Sequence, residues 1–406
     1  MGRRFHKISS ESMVGGICLA FLASASAFAQ SAGNETAVVT SGRTEITVLD
    51  ENSFPSARAA ALGGSITSLA DDFDAAGQNP AGIGGFGFGK NSKIPFHRKA
   101  YFPHISLGAN ANTYSLHRSA SAGDAANDPA LAKSLIGAAE GKRQFFRNHI
   151  SLGVVAGRFI LLPYFDQQLA AVGDADENGN VSSISMRYRT RSGYAFGGSF
   201  TDPAGLLSIG FLSNNITQTD VEGAANYDQI IEKSQRNAFI DGNSAKYSAT
   251  DNSAGLMWRI SEKFSPTLGI ALHHVSGTRF KAITSNEESY TLDQDMTIGF
   301  SITPKNAGVV RVSLCLEADR LLQDKVTVAK KLHSGVELRF GGMPGSYAGA
   351  ALRLGYESAG PSMGLFVNGG LLNVEISSRA VDIGTGNDRL IERRLNGTAY
   401  VNVAEF

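Results

Sequence analysis

The chain predicts an all-β membrane protein: an antiparallel outer-membrane β-barrel of about 14 strands with an N-terminal hatch, or plug, in its lumen. Three observations point there. An export leader opens the chain, period-2 alternation dominates its later part, and a Gly/Ala-rich segment lies between them. That segment is too poor in large side chains to form an ordinary core, so its backbone must pack closely against something else.

The leader comes first. Arg3, Arg4 and Lys7 form a positive start, Val14–Ala25 an apolar run, and Ala27-Phe28-Ala29 a small-x-small site that releases Gln30. Residues 1–29 therefore read as a signal peptide, with cleavage between Ala29 and Gln30. The apolar run is shorter than the ~18 residues of a membrane-spanning helix, and no later segment reaches that length. The exported chain is then soluble, surface-attached or a β-barrel. Charge gives no footprint for nucleic acid: 37 Lys and Arg balance 37 Asp and Glu. Cys315 alone remains after cleavage, so the fold has no internal disulfide although its compartment permits one. Glycine is abundant, 46 in 406 residues, against a usual share of about 7%. With only 11 prolines and repeated alternation, that excess reads as wall and turn glycine rather than disorder.

Residues 30–97 read as an N-terminal extension and hatch, and 98–406 as the barrel. In Met296–Thr303 the apolar Met296, Ile298, Phe300 and Ile302 oppose Thr297, Gly299, Ser301 and Thr303. Val310–Glu317, Val336–Phe340, Leu352–Glu357 and Leu256–Ile260 alternate in the same way. Alternation alone leaves two architectures open. In a soluble sandwich the apolar face points inward; in a membrane barrel it meets lipid and the charges line the lumen. The leader, the small-residue segment and the terminal Phe406 favour the barrel. Phe406 shares a strand face with Tyr400, a partial match to an outer-membrane assembly signal. Candidate strands begin near Tyr101, Asn148, Arg158, Ser182, Ser192, Leu206, Ala245, Phe264, Ser289, Gly308, Lys330, Ser346, Ser362 and Arg393. An even count suits a closed barrel with both ends on the periplasmic side. Two helical insertions interrupt the pattern, Asp128–Arg147 and Tyr227–Phe239.

Motifs that carry chemistry elsewhere lack their context here. Gly84–Lys90 fits G-x-x-x-x-G-K, but Asn91 replaces the required Ser or Thr and no strand–loop–helix frame surrounds it. Gly360–Gly364 matches G-x-S-x-G, yet Pro361 suits a hairpin turn better than a nucleophile elbow. Asp174–Asn180 begins like a calcium loop, but Ser185 stands at its twelfth position. His273 and His274 are adjacent on a strand and face opposite sides. The chain is therefore expected to be no enzyme, with no cofactor and no bound metal. Arg187, Arg189 and Arg191 form a basic stripe that faces the lumen of a barrel. It either attracts a carboxylate headgroup or pairs with structural acids of the hatch such as Asp71, Asp72 and Asp74.

The stretch Arg58–Gly85, RAAALGGSITSLADDFDAAGQNPAGIGG, resembles the hatch of the FadL/TodX family of outer-membrane hydrophobe transporters and of PorV-like barrels. Leu316–Asp324, Lys330–Phe340 and Ala351–Ser358 resemble PorV-like and FadL-like barrels as well. The resemblance implies that the turn Asn79, Pro80, Ala81 and Gly82 packs against the barrel wall and positions the hatch. It also implies passage of a hydrophobic small molecule, of the long-chain fatty-acid type, through a plugged barrel in the outer membrane of a diderm bacterium. The implied partners are the ligand, outer-membrane lipid and the barrel-assembly machinery. The alternative it carries is a PorV-like assembly or secretion role, with a secretion-machinery protein as partner and no transport.

Overall fold

A computed structural model describes residues 49–83 except 51, 71 and 72, and residues 98–403 except the segments 114–142, 176–180, 227–228, 230–232, 262–263, 284–287, 305–309, 325, 341–348, 370 and 384–389. The signal-peptide site at Ala29 and Gln30, Asp71, Asp72, the Gly84–Lys90 motif and Phe406 lie outside the described residues.

The described chain has sixteen strands: β1 (Arg98–Asn110), β2 (Gln144–Ala156), β3 (Phe159–Ala175), β4 (Val181–Thr201), β5 (Leu207–Asn226), β6 (Ser244–Arg259), β7 (Thr267–His273), β8 (Thr278–Ala282), β9 (Tyr290–Leu292), β10 (Asp295–Ile302), β11 (Val310–Ala318), β12 (Leu332–Phe340), β13 (Gly349–Glu357), β14 (Gly360–Asn368), β15 (Leu372–Asp382) and β16 (Ile391–Val403). Fourteen of them close an antiparallel barrel. The first and last strands pair, with Ile105 opposite Ala399, and β5 pairs with β6, with Gly210 opposite Gly255. The remaining two, β8 and β9, form a hairpin beyond the end of β7 that pairs with β6 at Tyr247 and Ser248.

The faces of the wall follow the alternation. Leu107, Leu161, Phe196, Phe211, Trp258, Leu316 and Leu354 are exposed on the outside. Arg147, Asp166, Arg189, Glu337, Arg353 and Arg394 are buried on the inside. This inverts a water-soluble protein: the outward face is apolar and the charges are enclosed. Only a hydrocarbon surrounding makes that arrangement favourable, and closure leaves no unpaired strand edge to meet it. The protein is an outer-membrane-type barrel. Tight turns join β2 to β3, β4 to β5 and β14 to β15, at the end where β1 begins and β16 stops. The connections that carry α3 (Lys233–Gly242), α4 (Val328–Lys331) and the β8–β9 hairpin lie at the other end, together with the two-residue β13–β14 turn. Short turns mark the periplasmic side of such barrels and long loops the extracellular side.

Three expectations are corrected. The segments beginning near Ser182 and Ser192 are one strand, β4, of 21 residues. A tilted span needs only ~9–11 residues, so the extracellular part of β4 stands beyond the hydrocarbon belt, and dividing the stretch at span length made two strands of it. Conversely β15, Leu372–Asp382, was missed between Ser362 and Arg393. The two errors cancel in the count. Finally, the end of the expected helix Asp128–Arg147 is strand, because Gln144–Arg147 open β2; residues 128–142 are outside the described part. The second expected helix, Tyr227–Phe239, is described from Lys233 and continues to Gly242. Its Phe239 is buried with Val221 and Ala225, which β5 turns outward.

The N-terminal segment 49–83 packs on the inward face. It contains α1 (Ala57–Ala61), α2 (Ala75–Gln78) and a 3-10 turn at Pro80–Gly82. Ser56 caps α1 by accepting a hydrogen bond from the Ala59 amide, which satisfies an otherwise orphaned donor. Small side chains let this segment approach the wall to backbone contact. A Cβ on Gly210 would lie 2.1 Å from the Pro80 carbonyl oxygen, and one on Gly255 would lie 2.0 Å from Asn79 Oδ1. Glycine at these paired positions is a requirement of space.

Candidate lumenal gate and wall seam

The Asn79–Gly82 turn is anchored on β5 and β6. Asn79 is fully buried, and its side-chain amide donates to the Thr67 carbonyl at 2.9 Å and the Leu256 carbonyl at 3.3 Å. Its Oδ1 accepts from the Ala81 amide at 3.1 Å, capping the turn that Pro80 opens. The Ser208 hydroxyl of β5 donates to the Ala81 carbonyl at 2.7 Å. Gly82 packs against Ala70, where a Cβ would lie 1.8 Å from the carbonyl oxygen. Asp74 precedes α2; its backbone carbonyl receives the Gly77 and Gln78 amides.

Two ionic clasps hold the segment elsewhere. Asp50 receives Arg394 of β16 at 2.6 Å and Arg147 of β2 at 3.4 Å. Burial pushes the Asp50 carboxyl up, but the attraction of Arg394, Arg147 and Arg379 outweighs it and holds the group well below the usual carboxylate range. Gln168 completes this clasp, accepting from the Asp50 amide at 2.9 Å and donating to its carbonyl at 3.0 Å. The second clasp is Arg58 on α1, which donates to both oxygens of Glu337 at 3.1 and 3.3 Å. Arg353 and Arg339 also reach Glu337, at 2.6 and 3.1 Å. Arg353 continues to Glu375, and Arg143 to Glu392.

Between these anchors lies an aromatic lock. Phe73 stacks on His104 of β1, with ring centres 4.1 Å apart and planes at 21°. Tyr400 of β16 also stacks with His104, at 5.7 Å. Phe54 meets Tyr164 edge-on at 5.0 Å, and His149 stacks with Tyr164 at 5.9 Å. Phe73, Phe54, Ile160, Leu162 and Tyr164 form one buried apolar cluster.

The wall is irregular beside this cluster. The β1 register shifts between Tyr101 and His104 against both neighbours, so the pair Phe102-Pro103 is a bulge. The β2–β3 ladder pairs Ser151 with Tyr164 and Val154 with Leu161, and lapses across Leu152–Gly153 and Leu162–Pro163. Pro103 and Pro163 have no amide proton to offer a ladder, which confines proline to such bulges and breaks. Phe73 sits directly behind the lapse: a Cβ on Gly153 would lie 3.0 Å from its ring and 3.2 Å from Leu162. His104 Nδ1, buried at the bulge, meets no hydrogen-bond partner among the described residues. Such a group costs roughly 1–3 kcal/mol if no water reaches it.

Arg189 and Arg191 of the arginine stripe are buried and meet residues of β5, while Asp71 and Asp72 lie outside the described residues. Arg189 pairs with Asp220 of the neighbouring strand at 2.8 Å, Arg187 with Asp220 and Glu222 at 3.4 Å each, and Arg191 donates to Gln218 at 2.7 Å. These partners belong to the wall rather than the N-terminal segment. Ser362 of the G-x-S-x-G match lies on β14 just after the two-residue turn from β13, and its hydroxyl donates to the Ala61 carbonyl at 3.2 Å. His274 turns to Asp251 at 2.9 Å. Asp50, Phe54, Phe73, His104 and Glu337 were not singled out as site residues in the sequence, because their partners lie on other elements: Asp50 meets Arg394, Glu337 meets Arg58, and Phe73 meets His104. Pro103 and Pro163 inside alternating runs were the available signal.

Neither a protein-family model nor a curated protein sequence matches the chain. Solved structures do. A TodX monoaromatic hydrocarbon channel mutant, deltaS2S3, aligns over 86% of this chain and 98% of its own, with 9% identity and a TM-score of 0.50. The Ralstonia pickettii toluene transporter TbuX aligns over 87% and 99%, with 12% identity and a TM-score of 0.45. A Pseudomonas aeruginosa FadL homologue aligns over 88% and 99%, with 11% identity and a TM-score of 0.37. The enclosed charges and lipid-facing belt define an outer-membrane β-barrel. Within that class the chain has the FadL/TodX-type fold.

Proposed function

We propose that the protein passes hydrophobic small molecules through the outer membrane, with the segment 49–83 as hatch and the β1–β3 seam as a lateral outlet. The observation that carries this reading is Phe73, packed between His104 and Gly153 behind a stretch of wall without ladder bonds. A ligand reaching the aromatic lock displaces Phe73, meets the lapse in the ladder and leaves sideways into hydrocarbon. No covalent step is needed. Transfer of apolar surface out of water drives it, at roughly 0.8 kcal/mol per buried CH₂. The hatch turn Asn79–Gly82 stays anchored while the Phe73 side moves. The similarity of fold to proteins described as hydrocarbon and toluene transporters supports this class of ligand.

The ligand to test first is a long-chain fatty acid, with toluene as comparator, in cells or vesicles carrying the barrel. Gly153→Leu fills the space beside Phe73 and is expected to abolish uptake while the barrel keeps its heat-modifiable gel migration. Phe73→Ala is expected to raise uptake. Unchanged uptake in a folded Gly153→Leu barrel sinks the lateral route. A purified wild-type barrel that carries no ligand but retains a protein partner favours the assembly role.

A further inference from the structure

We infer that His333, as a doubly protonated imidazolium, pins the hatch to the wall, so that docking of the segment 49–83 weakens as pH rises. His333 is the second residue of β12 and is buried on the lumenal face. Its Nδ1 lies 2.7 Å from the Gly63 carbonyl oxygen, and its Nε2 lies 3.1 Å from Asp319 Oδ1. A carbonyl and a carboxylate only accept. Arg320 donates to the other Asp319 oxygen at 3.1 Å, which keeps that group an ionised acceptor. A neutral imidazole has one N–H and one bare nitrogen, so it serves only one of these two oxygens; the imidazolium serves both.

The surroundings favour the cation. Glu317 of β11 is paired directly with His333, and Glu357 of β13 stands one residue beyond the Ser334–Tyr356 pair. Asp319, Glu357 and Glu317 all act on the ring. The cations of this region are set against those acids: Arg320 on Asp319, and Arg379 of β15 together with Arg320 on Glu357. Lys331 lies across from Asp319, whose amide donates to the Lys331 carbonyl at 2.9 Å. The hatch contributes backbone groups, namely the Gly63 carbonyl and the Thr67 amide, which donates to Glu317 Oε2 at 2.8 Å. Gly63 and Gly64, with φ of +65° and +92°, hold the left-handed region that follows α1. A Cβ on Gly63 would lie 2.8 Å from the Tyr356 nitrogen, and one on Gly64 would lie 3.3 Å from His333 Nδ1. The Gly-Gly pair of the hatch-like sequence thus brings the carbonyl to the ring.

Raising the pH removes one of the two protons. If Nδ1 keeps its proton, the bare Nε2 faces the Asp319 carboxylate. If Nε2 keeps its proton, the Gly63 carbonyl loses its donor. The pin is therefore complete while the ring holds both protons and is lost as pH rises through the titration of the ring. His333 acts through Gly63 and is a positioning residue. The inference rests on the proposed function only in treating the segment 49–83 as a hatch, and its test reads docking rather than transport.

The test is the open time of single folded barrels in planar bilayers at about pH 6 and about pH 9, either side of the ordinary imidazole value. The wild type is expected to be open roughly tenfold longer at the alkaline end, the worth of one hydrogen bond. His333→Gln keeps a neutral donor and is expected to open at the acid end as often as the wild type does at the alkaline end, with no step between them. Asp319→Asn removes the charge that favours the imidazolium and is expected to move the step to lower pH. In barrels carrying isotope-labelled histidine, the ring signal missing from His333→Gln is expected to show two protonated nitrogens at the acid end and one at the alkaline end. A step of equal size in His333→Gln overturns the pin, as does a wild type without a step or a His333 ring that is neutral at the acid end. Fatty-acid uptake by the wild type is measured alongside. A step without uptake keeps the pin and sinks the transport reading; uptake without a step does the reverse.

Discussion

Gly255 shows how a single missing side chain decides the position of the inner segment. Its Cα lies so close to Asn79 that a methyl group would sit 2.0 Å from the amide oxygen, a distance that side-chain rotation alone does not relieve because Asn79 is held by Thr67, Leu256 and Ala81. Gly255→Ala is therefore expected to destabilise docking of the Asn79–Gly82 turn by roughly 1–3 kcal/mol, the usual cost of overpacking. Limited proteolysis of the N-terminal segment in the folded barrel checks this, and protection equal to wild type would count against it. Asp50 gives a second residue-scale expectation, in pH. Its folded carboxyl is held below the ordinary value, so the stabilisation from Arg394 and Arg147 is complete above that value and is lost only as pH falls through the depressed one. The Asp50 contribution to docking should therefore be unchanged from neutrality down to about 5, and fade only in stronger acid. Proteolysis at stepped pH with an acid-tolerant protease reads the transition, and Asp50→Asn should remove it. Little of this was visible in sequence: the abundance of glycine was, but which glycines face Asn79 depends on register.

The strands show where one-dimensional reasoning reaches and where it stops. Alternation located most of the wall, because each strand has one face in hydrocarbon and one in the lumen. It failed at β4, where the strand outruns the bilayer, and at β15, where Ser378 interrupts the outward face of Leu372, Val374 and Ile376. The inward direction of Arg187, Arg189 and Arg191 followed from alternation; their recorded partners on β5 did not, because an acid on a neighbouring strand and one on the hatch satisfy the same charge. The seam was written in Pro103 and Pro163, whose missing amide protons break the ladder, yet only pairing shows that the two breaks adjoin. Amides at 151–154 and at 161, 162 and 164 are expected to exchange hydrogen faster than the matching stretch of β13–β14, whose ladder runs unbroken from Glu357 to Gly349. Equal protection at both places would mean that the lapse is closed in solution and that the lateral route lacks its outlet.

At the scale of the whole molecule, the inner segment is clasped at two separate places on one closed wall, and the arrangement of charge makes each clasp releasable. Removing the Asp50 charge leaves Arg394 with Glu392 and Arg147 with Asp166; removing Arg58 leaves Glu337 with Arg353 and Arg339. Neither change strands a buried charge, so each variant is expected to fold and to lose only the docking energy, about 2 kcal/mol for a charge-assisted contact. Energies of independent clasps add, so undocked populations multiply. Each single variant, Asp50→Asn or Arg58→Ala, should then raise the undocked fraction roughly thirtyfold, and the double variant roughly a thousandfold. Ion conductance of single barrels in planar bilayers reports the undocked fraction directly as open time. Little opening in either single variant with frequent opening in the double is the expected pattern. If the double opens no more often than the more open single, the two clasps release together, and the segment moves as one rigid body rather than swinging from whichever anchor remains.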